Sequence, residues 1–269
     1  MQEWMRRSLF ASLVVLSLPA IPAFAQAPAY KAPRMADGKP DLNGIWQAMN
    51  AANWDLQSHE ARAGAVVAAG AWGAEPGGPS VVEGGAIPYL PAAAAQKKKN
   101  FENRLAADPE VKCYLPGVPR ATYMPYPFQI FQNPRAISIA YEYDSAFRNI
   151  FLKDPGPAPA DSWMGQSVGR WEGDTLVVDV TGLIEDSWLD RAGDFHSDAL
   201  HVVERYTPVA PNVLNYEATI EDPKVFSRPW KISMPLYRHV EKNARLVEFK
   251  CVEFVEELLY GPLRRKPSN

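Results

Sequence analysis

From residue 128 onward the chain breaks into short stretches in which apolar and polar side chains alternate, each ended by turn-forming residues. Stretches 128–132, 136–143, 147–153, 167–171, 175–181, 200–206, 213–220, 230–236 and 246–252 read as strands, because a two-residue period puts like side chains on one face. Ile137, Ile139 and Tyr141 share one face, and Ser138, Ala140 and Glu142 share the other. Asn133-Pro134, Asp144-Ser145, Glu172-Gly173-Asp174, 208–212 and Lys242-Asn243 supply the turns. No amphipathic helix separates these strands. Parallel neighbours need a long crossover, usually helical, so the spacing predicts an antiparallel meander. The expected architecture is mainly β, with the meander forming a barrel-like sheet. The 25 prolines agree, since proline ends helices and marks turns.

Upstream the character changes. A Pro-rich arm, 26–42, leads into Asn43-Gly44-Ile45-Trp46, the expected first strand. Residues 51–105 read as a partly helical N-terminal insertion. Asn53 or Asp55 could cap a helix, 61–74 is rich in Ala and Gly, and 92–105 is a second helical stretch carrying Lys97-Lys98-Lys99. The lysine run is expected on a solvated helix face. A long ordered insertion of this kind packs on, or lids, the β domain of residues 43–255. Residues 108–127 are rich in Pro and Tyr and cannot form a central strand. Residues 256–269 form a polar tail.

Residues 1–25 have the parts of a cleaved signal peptide. Arg6 and Arg7 are positive, 9–18 is apolar, and Ala23-Phe24-Ala25 is a small-x-small cleavage site. A periplasmic or secreted protein is expected, with no transmembrane segment in the mature chain. An oxidising compartment would let Cys113 and Cys251 pair as a disulfide; two separate buried thiols is the alternative. The formal charge of -3 implies no basic face, so nucleic acid is not an expected partner. No Gly-rich nucleotide loop, Gly-x-Ser-x-Gly or His-Glu-x-x-His occurs, and no cofactor is implied. Oligomeric state has no signature in the sequence.

Chemistry-bearing residues gather in the polar loop 188–198 and the strand after it. Asp190, Arg191, His196 and His201 form the candidate catalytic set: a His beside a carboxylate can move protons near neutral pH, and an Arg can hold an oxyanion. A salt-bridge cluster that staples the loop to the sheet is the structural alternative. No metal site is expected. His201 and Glu204 lie three apart on one strand and point to opposite faces, so they cannot both ligate one ion. Candidate ligand-binding residues are Arg205, Trp188, Tyr141, Trp46, Tyr123 and Tyr126: aromatics with one cation, the composition of a small-molecule pocket. Tyr123 and Tyr126 could equally cover an open barrel end.

Four motifs carry a resemblance. They are Pro40-Asp41-Leu42-x-Gly44-x-Trp46, the Pro-Tyr-Pro-Phe-Gln stretch 125–129, the Gly-Arg-Trp-Glu-Gly-Asp-Thr-Leu run 169–176, and the His-Val-Val-Glu-Arg-Tyr strand 201–206. In these the mature chain resembles an uncharacterised family of exported bacterial proteins, which implies export and no particular activity. The Gly-x-Trp opening and the Trp-x-Gly-Asp-x-Leu turn are also similar to lipocalin and fatty-acid-binding (calycin-like) barrels. That similarity concerns architecture and implies a lipocalin-like barrel. A meander rich in aromatics with a few inward charged groups makes binding of a small, largely apolar molecule in a barrel-like pocket the expected function. The alternative is a cofactor-independent lyase, isomerase or hydrolase using His/Asp/Arg acid–base chemistry in the same pocket.

Overall fold

The alternating stretches pair with their neighbours in sequence because tight turns leave them nowhere else to go. A computed structural model describes residues 30–64, 74–253, 255 and 262. In it, β1 (Gly44–Ala48), β2 (Phe128–Asn133), β3 (Ala136–Tyr141), β4 (Phe147–Phe151), β5 (Gln166–Glu172), β6 (Thr175–Thr181), β7 (His201–Ala210), β8 (Val213–Glu221) and β9 (Trp230–Arg238) close into one barrel in sequence order. Every neighbouring pair is antiparallel except β4 and β5, which run parallel. Closure requires that exception. Nine strands alternating throughout would meet as a parallel pair at the seam, yet β1 and β9 meet antiparallel. The connection 152–165 returns across the barrel without a strand and absorbs the odd step.

Inward positions follow the two-residue period. On β7, Val202, Glu204 and Tyr206 are buried while His201, Val203 and Arg205 are half-exposed. The core is continuous through the barrel, from Trp46 and Phe128 through Ile139, Val178 and Tyr216 to Ile232 and Leu236. A barrel of about eight strands has an interior just wide enough for side chains or one small ligand. Nine strands fall in that range.

The register gives the barrel two ends. At the arm end, the Arg34 guanidinium donates to both oxygens of Asp174, at 2.7 and 2.8 Å. Gln132 accepts from the Leu42 amide (2.8 Å) and donates to the Pro40 carbonyl (2.9 Å). Trp46 Nε1 donates to the Leu42 carbonyl (3.0 Å). The opposite, cap end carries residues 49–127 between β1 and β2 and the loop 182–200 between β6 and β7. The cap holds α1 (Pro91–Ala107), which matches the expected helix, and the single turn α2 (Arg120–Tyr123). Lys98 and Lys99 are exposed on α1.

Two expected elements are absent. Residues 246–252 form no strand. The barrel is already closed by β1 on β9, so no free edge remains for their backbone to pair with. They pack outside instead: Phe249 stacks on Tyr143 and tilts against Tyr126, and Cys251 is disulfide-bonded to Cys113. Nor do Asn53 and Asp55 cap a helix. Asn53 Oδ1 accepts from Arg120 Nε (3.0 Å), and Asp55 takes the Gln57 amide and Arg62, so long-range partners replace the local helix. The expected signal peptide, 1–25, lies outside the described residues, as do 26–29 of the arm and all of the tail 256–269 but residue 262. No helix among the described residues is long and apolar enough to cross a membrane.

Candidate ligand-binding site

The barrel interior contains an ion pair. Arg148 sits on β4 in the inward phase shared with Ile150, and Glu204 sits on β7 between Val202 and Tyr206. Arg148 Nη2 donates to Glu204 Oε2, and both side chains are almost wholly buried. Arg148 Nε donates to Ser167 Oγ (2.6 Å). The Tyr206 and Tyr216 hydroxyls both donate to Glu204 Oε1, at 2.9 and 2.8 Å. Burial, and then the Glu204 charge, push both phenols well above their usual range, so they stay protonated as donors. Burial opposes the Arg148 charge, but Glu204 outweighs it and the guanidinium is held more firmly than usual.

Three polar atoms around this pair lack a hydrogen-bond partner: Arg148 Nη1, Tyr141 Oη and Thr122 Oγ1. They converge. Tyr141 is raised by burial first, with the Arg148 guanidinium opposing, and it lies beside the Thr122 hydroxyl; Thr122 also lies beside Tyr206. Thr122 comes from α2, which therefore forms the ceiling of the interior. On the other side of α2, Tyr123 Oη donates to the Leu189 carbonyl (2.7 Å). Arg120 donates to Asn53, Asp108 and Glu110. Buried polar atoms in folded proteins are nearly all satisfied. These three groups lie close to one another without a well-formed hydrogen bond, and each has a donor it could turn towards an acceptor atom.

The cap holds a separate polar cluster. Loop 188–195 is closed by a bridge between Trp188 and Phe195, and Gly193 at its tip has φ +84°. A Cβ at Gly193 would lie 2.6 Å from that of Asn100 on α1, so only glycine permits this approach. The carboxylates of Asp55, Asp190 and Asp194 each bring an oxygen within 4.8 Å of the others. Asp190 accepts from the amides of Leu56 (2.9 Å) and Asp194 (3.1 Å), and the Tyr89 hydroxyl donates to Asp194 (2.7 Å). Burial, then the Asp194 charge, raise Asp190 well above the usual carboxyl range, which favours its protonated form. These three carboxylates are the set that could hold a hard cation, and Lys97 at 3.9 Å from Asp194 and Arg62 on Asp55 already bring positive charge to it.

Because the folded-state pKa of Asp190 is raised, its effect on stability changes as pH rises through that value, where the buried acid must ionise. Asp190→Asn is therefore expected to flatten the loss of stability above pH 5. Urea midpoints of both proteins between pH 5 and 9 check this; parallel curves would refute it.

The four candidate catalytic residues do not share a site. His196 is buried, and burial lowers its pKa. Its Nδ1–H donates to the Ser197 carbonyl (2.9 Å), leaving Nε2 to accept from Ser187 Oγ (2.9 Å). Arg191 pairs with Glu110 at 2.6 and 2.7 Å. Burial pushes Glu110 up, but Arg191 and then Arg120 outweigh it and bring it down to about 2. His201 and Arg205 do lie on one face of β7, but it is the outer one. His201 meets Asp179 (3.2 Å) and Glu221 (3.8 Å), and Arg205 meets Glu172 (2.9 Å). Both therefore point away from the barrel interior.

Of the candidate ligand-binding residues, Tyr141 and Trp46 point into the barrel. Tyr123 and Trp188 belong to the cap, and Tyr126 packs against Tyr143 and Phe249 outside. The interior polar cluster of Arg148, Glu204, Ser167, Thr122, Tyr206 and Tyr216 was not among the expected ligand-binding residues. A signal was present: Arg148 and Glu204 are opposite charges in the apolar phase of two strands, where a charge is buried only if paired. No known protein family, curated protein or solved structure matches the chain.

Proposed function

We propose that the barrel interior binds a small, largely apolar molecule through one neutral oxygen acceptor, and that the protein is an exported carrier or receptor of such a molecule. The observation that carries this reading is the convergence of Arg148 Nη1, Tyr141 Oη and Thr122 Oγ1, close to one another but without a well-formed hydrogen bond, beside the Arg148–Glu204 pair in a mostly apolar core. The acceptor is neutral because Glu204 already balances Arg148, so a carboxylate would add uncompensated charge. A ketone or ester carbonyl fits. The Cys113–Cys251 disulfide supports export, since such bonds persist in oxidising compartments.

The test is titration of the protein with 2-decanone, followed by calorimetry. Thr122→Val with Tyr141→Phe removes two donors with little change of volume and leaves the ion pair intact. Binding is expected to weaken about tenfold, the loss of a hydrogen bond or two. His201→Ala, on the outer face, is expected to bind as wild type. Equal affinity in the double variant, or no saturable binding in the wild type, would sink the proposal.

An enzymatic reading is favoured by one observation, the buried Asp190 carboxyl beside Asp194 and Tyr89, where burial and the Asp194 charge raise its pKa. A carboxyl raised in this way can act as a general acid, as required of a lyase, isomerase or hydrolase. It would work in the cap, separate from the barrel interior.

A further inference from the structure

We propose a second ligand site at the arm end, for a small monocarboxylate held by Arg238. A cleft of about 80 Å³ opens there between the arm, the β7–β8 turn and the end of β9. Its apolar walls include Tyr30, Pro33, Pro208, Ala210 and Leu214, and Trp46 and Arg238 also line it. The Arg238 guanidinium carbon lies 4.5 Å from the centre of the Trp46 ring. Stacking of this kind holds the planar fork in place while leaving its edge free for in-plane donation.

Arg238 has no carboxylate partner among the described residues, and its Nε is buried without a hydrogen-bond partner. Gly44 lies under the head group, where even a Cβ would come within 3.3 Å of Nη1. The backbone thus makes room for a cation that no carboxylate of the described residues pairs with directly. A carboxylate matches the guanidinium geometry in two parallel hydrogen bonds.

Two features narrow the ligand. Asp41 also lines the cleft, with its Oδ1 taken by the amide and Nδ2 of Asn43 at 2.9 and 2.8 Å. Its charge disfavours a dianion such as hydrogen phosphate and leaves a singly charged acid. The cleft is smaller than the ~150 Å³ cavity that accepts benzene, so the alkyl part is limited to about three or four carbons. This site does not depend on the reading of the barrel interior, whose donors suit a neutral oxygen.

The test uses the full chain, titrated calorimetrically with propionate and, as a neutral mimic, n-propanol. Propionate is expected to bind saturably and n-propanol much more weakly. Arg238→Gln is expected to weaken propionate at least about tenfold, the loss of hydrogen bonds to a charged group. Ala210→Phe fills the cleft from the β7–β8 turn and leaves Arg238 in place, so it carries the test if Arg238→Gln fails to fold; it is expected to abolish binding. Equal binding of propionate and n-propanol, wild-type affinity in Ala210→Phe, or no binding by the wild type would overturn the assignment.

Discussion

Glu204→Gln is expected to lower the unfolding free energy by about 3–5 kcal/mol, the cost of stranding one partner of a buried ion pair. The amide keeps the size of the side chain and can still accept from Tyr206 and Tyr216, so lost packing is not the cause. The cause is Arg148, which remains charged inside the barrel because a guanidinium does not give up its proton at accessible pH. Arg148→Met is expected to cost less. The carboxyl stranded by that change can shed its charge by taking up a proton, and Tyr206 and Tyr216 still hydrogen-bond it. The deficit of Arg148→Met should therefore shrink as pH falls towards 5, while that of Glu204→Gln stays constant. The double variant, with both charges gone, should regain much of the loss. Urea unfolding at pH 5, 7 and 8 measures all three. Similar deficits with the same pH dependence in both single variants would show that the asymmetry between the two charges is not what sets the cost.

Replacing Cys113 and Cys251 by serine is expected to cost about 2–5 kcal/mol and to lower Tm by roughly 5–15 °C. The bond links positions 138 apart in sequence. That loop contains β2 to β9, every strand but the first. Chain entropy alone would give roughly 4–5 kcal/mol for so long a loop, an upper figure. A second consequence is local. The segment around Phe249 has no strand to hold it and is tied to the barrel by this bond and by the rings of Tyr126 and Tyr143. Hydrogen exchange in residues 246–252 should accelerate in the serine variant well before the barrel opens. An unchanged denaturation midpoint in the double serine protein would remove the disulfide from the account of stability.

The strands were legible because their signal is local. In Thr175–Thr181, Leu176, Val178 and Val180 alternate with Val177, Asp179 and Thr181, and no distant contact is needed to read it. The same holds for the 92–105 helix and for the opposed faces of His201 and Glu204. Residues 246–252 failed for the complementary reason. They have strand composition, but a strand also needs a vacant edge, and whether one exists depends on whether β1 reaches β9. That pairing joins residues nearly two hundred positions apart, such as Trp46 and Arg238.

The site divides in the same way. Periodicity showed that His201 shares a face with Arg205; it did not show which face looks inward, since Val203 between them is as apolar as Val202. Closure of the barrel decided it by placing Val202, Glu204 and Tyr206 inside. The polar loop 188–198 was recognisable as a cluster, but its partners come from Asp55, Tyr89, Lys97 and Glu110, which no spacing rule brings together. By itself, then, the sequence determined nearly all the strands, their order around the barrel and the inside-or-outside relation of residues within each strand, because those depend on neighbours one to four positions away; the parallel β4–β5 step and the loss of a strand at 246–252 came from closure. The tertiary structure alone decided which face became the interior, which charges met there, and that Arg148, Tyr141 and Thr122 were left with donors to offer, because those depend on how the ring of strands closed.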